Sequence, residues 1–366
     1  MQSFPELGFY ALPGHAVSPK QIFDDIPVGD NLGFGSVWLS ERLSNKELGV
    51  ISGISLAKSP NMAVAAGLMA NLPARNPVLI AAYASTMMLL SDNRFALGVG
   101  RGFNALADSM GVAHLNFALF ADYFDILRRL WRGETVDYSG PLGKLNGAKL
   151  GLELEVIPPI IMAAMGPKTL YWAGQHADGV LLSSLWSAAG TAASIEIIRK
   201  GAIDADRDPD SVKIWPILVT ASDVNEEKQL DYIVRRMGTY AVFPDFLEAI
   251  CEANQWSLDE VLPIRETILA DMSATNAGNM GDEGVTREYD QLRRMRDMWP
   301  EKWLYEGNAM GTAQHCAGRL REYFDAGADG VVIHGSRPQD LTSLLDLWPQ
   351  YRPAERLAGR SVNPCL

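Results

Sequence analysis

Short apolar runs alternate with amphipathic stretches along most of the chain. Residues 6–12 form a first apolar run, the length of a strand and too short for a helix. Ser18 then stands as a helix cap, with Pro19 at the first helical position and an amphipathic run to Asn31. The same reading predicts a strand over 36–39 with a helix over 44–58, and a strand over 62–69 with a helix from Pro77 to about Ser91. A strand over 95–100 and a strongly periodic helix over 117–131 come next. Between 134 and 155 the rhythm breaks at Gly140-Pro141, Gly143 and Gly147, the marks of an inserted hairpin. It resumes with strands over 160–163, 179–182 and 212–220 and helices over 167–176 and 188–206.

From 237 to 308 no strand is expected, only helical patches and a Gly-, Asn- and Met-rich segment around 273–284. A capped helix over 312–326 and an eighth strand over 330–334 complete the pattern. Strands alternating with helices imply parallel pairing with right-handed crossovers. Eight such units favour a closed (β/α)8 TIM barrel over an open sheet. The expectation is one barrel domain spanning 1–366, with insertions at about 134–156 and 237–308, the second capping the mouth.

Composition supports a large buried core: 48% of the residues are apolar and 21% charged. The net charge of −12 argues against nucleic acid or an anionic membrane surface, both of which need basic stripes. Arg128, Arg129 and Arg132 cluster only as a solvated helix face. No apolar run approaches the roughly 20 residues of a membrane span. Three scattered cysteines, Cys251, Cys316 and Cys365, without CxxC pairing or a secretory leader, fit a reducing cytoplasm. A homodimer is compatible with these features.

Barrel enzymes bind ligands at the carboxyl ends of their strands. Those positions here are Glu41 and Arg42, residues 68–71, 100–104, 163–168, 183–186 and 334–337. They are rich in glycine, amide and small polar side chains, which suits a bound cofactor better than a hydrolytic dyad or a metal. At 164–169 a strand ends in Gly166 and a helix opens at Pro167, so free N–H groups at the positive end of a dipole could hold a phosphate; a plain turn is the alternative. Gly98-Val99-Gly100-Arg101-Gly102 lacks the dinucleotide spacing and reads as a tight barrel-end loop. The five histidines have no metal-ligand spacing, and no GxSxG elbow is present. His176 reads as structural, Cys316 lies within a predicted helix, and His334 ends the last strand where it can face the site. Trp38, Met69 and Trp186 fall near strand ends, where apolar walls suit core packing or a planar ring.

Taken together, residues 33–42 (GFGSVWLSER) and 91–104 (SDNRFALGVGRGFN), with GPKTL at 166–170, AG at 173–174, ADGV at 177–180 and AGADGV at 326–331, resemble the luciferase-like monooxygenase superfamily. Within it the chain looks most like the F420-dependent oxidoreductases of actinobacteria. The resemblance covers most of the chain and fails across the second insertion. It implies a coenzyme F420 site, with FMN as the alternative cofactor, and hydride transfer to or from a small organic substrate. It also implies a bulge with a nonprolyl cis bond at Leu68–Met69 backing the ring, Asn71 at the ring's polar edge or its tail, and Gly102 and Asn104 along the cofactor channel. Ala164, Met165, Gly166, Pro167 and Lys168 would hold the tail phosphate, with Ser183 close by and Tyr10 at the site.

Two departures matter. Many relatives carry an acidic residue followed by histidine after the second strand, where this chain has Glu41-Arg42, and a guanidinium is no acid near neutrality. The sugar-phosphate dehydrogenases place a glutamate where this chain has Phe103, which favours a more apolar substrate. Glu41 and His334 are the catalytic candidates, Glu41 ionised beside Arg42 and the acidic group nearest the reacting face. The competing readings are an FMN-dependent monooxygenase and a noncatalytic flavin-binding barrel.

Overall fold

A computed structural model describes residues 3–13, 18–42, 45–69, 72–102, 104–274 and 288–366. Its strands are β1 (Phe4–Tyr10), β2 (Phe34–Ser40), β3 (Ala63–Met69), β4 (Phe95–Val99), β5 (Val136–Gly140), β6 (Gly143–Ala148), β7 (Ile160–Ala164), β8 (Gly179–Leu182), β9 (Lys213–Ser222), β10 (Asn308–Gly311) and β11 (Val331–Gly335). Eight of them close a parallel ring in the order β9-β11-β1-β2-β3-β4-β7-β8, with β8 returning to β9. The closed barrel expected from the alternation is therefore present. β5 and β6 form the separate antiparallel hairpin at the first insertion.

The surrounding helices obey the local signals. α1 (Ile22–Leu32) is preceded by a single 3-10 turn capped by Ser18. α2 (Leu48–Lys58) begins later than the 44–58 periodicity suggests, because the Glu47 carboxylate caps it by accepting from the Val50 N–H. α3 (Pro77–Leu90), α4 (Asn104–Met110), α5 (Phe117–Trp131), α6 (Pro167–His176) and α7 (Ala188–Asp204) come next. Asn76, Asn116 and Ser187 cap α3, α5 and α7 through their side chains.

The barrel interior is filled by two indoles. Trp38 of β2 and Trp215 of β9 lie 5.2 Å apart, ringed by Ala65, Ala96, Ile161, Leu181, Ile217 and Val332. Glycines make the room: a Cβ on Gly8 would sit 2.3 Å from the Trp38 indole nitrogen, and one on Gly330 would sit 2.2 Å from the Trp215 ring. Below them residues 348–366 seal the amino-terminal end. Trp348 and Arg352 donate to the fully buried Glu6 carboxylate at 2.8 and 2.9 Å, and the Pro364 carbonyl accepts from the Trp215 indole at 3.0 Å.

The second insertion differs from expectation in two ways. A continuous helical run starts already at Glu226, right after β9, and includes a π-helical stretch over Leu230–Val234 before continuing as Arg235–Ala241. Helices over Pro244–Asn254, Leu262–Ala274, Tyr289–Met298 and Glu301–Tyr305 come after it. The segment also ends in a strand. β10 pairs in parallel with β9 from Asn308↔Val219 to Gly311↔Ser222, on the edge of β9 that extends past β8. A four-residue Asn-Ala-Met-Gly run is too short for periodicity to register.

At the end of β3 the register shifts against both neighbours, so that Leu68 meets Ser40 and Met69 meets Val99. The expected bulge is thus in place. No cis peptide bond occurs among the described residues, so the nonprolyl cis bond expected at Leu68–Met69 has no counterpart there; the register shifts alone redirect the strand. Gly98 on β4 is the other half of this arrangement. A Cβ on it would lie 2.0 Å from the Ala66 carbonyl oxygen and 2.5 Å from the Gly67 Cα, both backbone atoms that cannot swing aside. Gly98 therefore serves close strand approach. Gly98→Ala is expected to cost about 3 kcal/mol, the upper part of the overpacking range, read as a lower urea midpoint; an unchanged midpoint would mean that β3 and β4 do not approach this closely.

Candidate functional site

The carboxyl ends of the barrel strands carry the polar side chains that composition alone could not place. Strand alternation turns Tyr10 of β1 and His334 of β11 toward the barrel axis, where their rings meet at 4.5 Å. Both are buried, His334 at 2% exposure. Burial pushes the Tyr10 phenol above its ordinary value, while the Arg236 guanidinium and a hydrogen bond with Ser40 pull the other way. His334 thus does face the mouth, directly against Tyr10.

Beside them the loop after β2 folds back on itself, Arg42 and Lys46 exchanging backbone hydrogen bonds of 3.0 and 2.8 Å. This carries Lys46 inward. Its ammonium, 2% exposed as a residue, donates to the Leu12 carbonyl at 2.8 Å and lies 5.9 Å from the centre of the Tyr10 ring. Lys46 falls inside the stretch that periodicity assigned to a helix, and no sequence signal marked it.

Glu41 occupies the end of β2 as expected, but its setting is an anchor. Arg75 grips it with two guanidinium nitrogens, one bonding Oε2 at 3.0 Å and the other Oε1, and the same guanidinium reaches Glu47 at 3.0 Å. The Glu41 side chain is 1% exposed and that of Arg75 26%. The guanidinium that grips Glu41 thus comes from after β3, thirty-four residues away in the chain, where only Arg42 was expected to hold it ionised. The loop after β3 is pinned a second time by Tyr123, whose hydroxyl lies 2.6 Å from the Leu72 carbonyl oxygen and 2.9 Å from that of Arg75. This loop follows Leu68 and Met69 at the end of β3; Asn71 lies outside the described residues.

At the end of β4, Gly102 takes φ +66°, a left-handed turn natural to glycine, and exposed Asn104 opens α4. At the end of β7, Ala164 is buried, Met165 and Gly166 are half-buried, and Pro167 and Lys168 are exposed. Gly166 is the N-cap of α6 and offers no side-chain cap, unlike the residues before α3, α5 and α7. Its φ of −76° would admit any residue, and a Cβ there would meet nothing within 4 Å. The glycine therefore leaves open space in front of helix N–H groups, at the positive end of the dipole.

The insertion supplies the far wall. The Tyr240 hydroxyl accepts from Arg236 Nη2 at 2.9 Å and shares a 3.2 Å hydrogen bond with Ser183, the residue after β8. Asn254 ties the same loop down, its amide donating to the Leu185 carbonyl and accepting from the Ser187 N–H, both at 2.8 Å. Arg236 and Tyr240 were missed in sequence because an i, i+4 pair inside a strandless segment gives no sign of which barrel end it meets. His176, by contrast, packs 4.3 Å from Trp172 on α6, and burial lowers its pKa. Burial likewise pushes the Cys316 thiol up to about 12. No cluster of three or more His, Cys, Asp or Glu side chains fit for a metal occurs among the described residues, and no described helix is long and apolar enough to cross a membrane.

Removing Glu41 should therefore register first in stability. Glu41→Gln is expected to cost about 3 kcal/mol, the low end for breaking a buried pair because Arg75 keeps Glu47. Thermal unfolding of Glu41→Gln, Arg75→Gln and the double variant checks it: strictly additive losses would show that the two side chains do not act as a pair.

Comparison with known proteins agrees with this architecture. The family model for luciferase-like monooxygenases matches residues 11–330. A 5,10-methylenetetrahydromethanopterin reductase from Archaeoglobus fulgidus is 25% identical over 342 residues, 93% of this chain and 94% of the relative. An F420-dependent glucose-6-phosphate dehydrogenase from Mycobacterium tuberculosis is 33% identical over 144 residues, 37% of this chain and 43% of that one. Among solved structures, the coenzyme F420 dependent tetrahydromethanopterin reductase from Methanopyrus kandleri superposes with a TM-score of 0.76 at 18% identity, covering 95% of this chain and 99% of its own, a likeness of fold. With eight parallel strands closed into a ring and the family match running through six of them and most of the chain, this chain belongs to the luciferase-like monooxygenase family.

Proposed function

We propose that the protein is an F420-dependent oxidoreductase that transfers hydride between the deazaflavin and a small organic substrate. The observation that carries the reading is the uncapped start of α6 at Gly166, an anion site with open space before it at the end of β7. It coincides with the residues that the family resemblance assigns to the cofactor's phosphate. The relative from Mycobacterium tuberculosis that matches part of this chain is an F420-dependent enzyme, which favours deazaflavin over FMN.

In this reading the residues 164–168 hold the phosphate through backbone N–H groups, with Lys168 adding its charge. The β3 bulge at Leu68–Met69 backs the ring, Asn71 meets its edge or tail, and Gly102 and Asn104 line the channel. Tyr10 and His334 form a closed aromatic floor beneath, which keeps water from the reacting face. The bound deazaflavin supplies the hydride chemistry, and the protein supplies position and polarity. Glu41, with both oxygens engaged by Arg75, holds the β3 loop in place and so positions the ring indirectly.

Two outcomes are expected. Titrated in parallel, the purified protein binds F420 more tightly than FMN; micromolar FMN affinity without detectable F420 binding would replace the deazaflavin by FMN. Gly166→Asp places a carboxylate at the phosphate position and lowers F420 affinity at least tenfold, about 1.4 kcal/mol, while thermal unfolding stays unchanged because the added side chain enters open space. Unaltered affinity would put the anion site elsewhere.

A further inference from the structure

We propose that the Tyr240–Ser183 hydroxyl pair is the proton donor of the reaction, delivering a proton to the heteroatom of a carbonyl or imine substrate as hydride reaches its carbon. The inference rests on the deazaflavin reading above and adds to it the side chain that handles the proton.

Tyr240 is 7% exposed, and its oxygen accepts a hydrogen bond from Arg236 Nη2 at 2.9 Å. Ser183 lies 3.2 Å away. The two hydroxyls own two protons, and the bond between them consumes one. Whichever way that bond runs, one O–H remains without an acceptor among the described residues. A buried donor left so costs about 1–3 kcal/mol, a cost that a ligand acceptor removes.

Its position and surroundings fit the task. Ser183 follows β8 at the barrel mouth, and both Arg236 and Tyr240 lie within electrostatic reach of Tyr10 at the end of β1, so the pair and Tyr10 share one end of the barrel. Arg236 cannot give up a proton itself. Negative charge left on the phenolic oxygen is met by a guanidinium nitrogen at 2.9 Å, a charge-assisted bond that strengthens as the proton leaves. Among the other candidates, Glu41 bonds Arg75 through both oxygens, position 42 carries an arginine, and His334 is buried against the Tyr10 ring in the floor of the mouth.

The step balances. Hydride passes its two electrons from the reduced deazaflavin to the substrate carbon, the C=O or C=N π bond breaks, and the heteroatom takes the hydroxyl proton. The phenolate regains a proton from Ser183, which is resupplied by solvent. The cofactor is oxidised by two electrons and the substrate reduced by two.

The test uses the full chain and its Tyr240→Phe and Ser183→Ala variants. F420 dissociation constants are measured first, then reduction of cyclohexanone, benzaldehyde and 1-pyrroline with reduced F420. The F420 dissociation constant of Tyr240→Phe is expected within about twofold of wild type, with kcat lower by about a hundredfold or more. Ser183→Ala loses less than tenfold, because Tyr240 keeps its donor. Infrared spectra of the best-reduced compound bound with oxidised F420 give a readout apart from turnover: its C=O or C=N band lies at lower frequency in wild type than in Tyr240→Phe. A Tyr240→Phe kcat within twofold of wild type, an unshifted band, or a wild type that binds F420 and reduces none of the three overturns the proposal. Failure of wild type to bind F420 at all would instead overturn the deazaflavin reading, and this inference with it.

Discussion

Packing two indoles into one barrel is the constraint from which much of this structure derives. A ring of eight strands encloses a space that side chains must fill without voids. Here Trp38 and Trp215 take much of it, and four of the neighbouring positions are reduced to Gly8, Gly330, Ala65 and Ala96. The indole nitrogens still need partners, and these come from Ser36 at 2.9 Å and from the Pro364 carbonyl. The Arg360 guanidinium stacks 5.2 Å from the Trp215 ring and completes the underside. With the interior filled to this height, the next layer up, Tyr10 and His334, becomes the floor of the mouth.

Above that floor the site is assembled from parts with different degrees of attachment. The β2, β3 and β4 ends are coupled rigidly, through the Glu41–Arg75 pair, the β3 register shifts and the close approach at Gly98. The opposite wall is held by hydrogen bonds of individual side chains, Tyr240 to Ser183 and Asn254 to the β8–α7 loop. The π-helical stretch just before Arg235 adds a residue to the turn and so rotates the Arg235–Ala241 helix relative to a plain α-helical continuation.

How much of this was legible beforehand varies with the kind of signal. The barrel strands and α5, α6 and the hairpin announce themselves by apolar runs, caps and glycine breaks, because those patterns report local burial. The strand ends could be named for the same reason: once the runs are placed, the next residues are fixed, and Glu41, Ser183 and His334 all stand where the alternation puts them, whereas β1 ends at Tyr10, two residues before the end of its apolar run. Partnerships could not be read. Arg75 on Glu41 and Arg236 on Tyr240 depend on which loops meet in space, and neither spacing carries that information. Lys46 was hidden by an apolar periodicity that ran on past the true start of α2 at Leu48. β10 was hidden by its length.

The uneven length of β9 bears on how such a protein can diverge. Its first half completes the ring against β8, while its last four residues pair with β10 on an edge that β8 leaves vacant. Nothing in the closure of the ring depends on that second pairing. Helices threaded between β9 and β10 can then lengthen, shorten or exchange residues over generations while the eight-strand register stays unchanged. Closure of the ring and attachment of the helical segment are in this way separable traits, carried on the same strand at different heights.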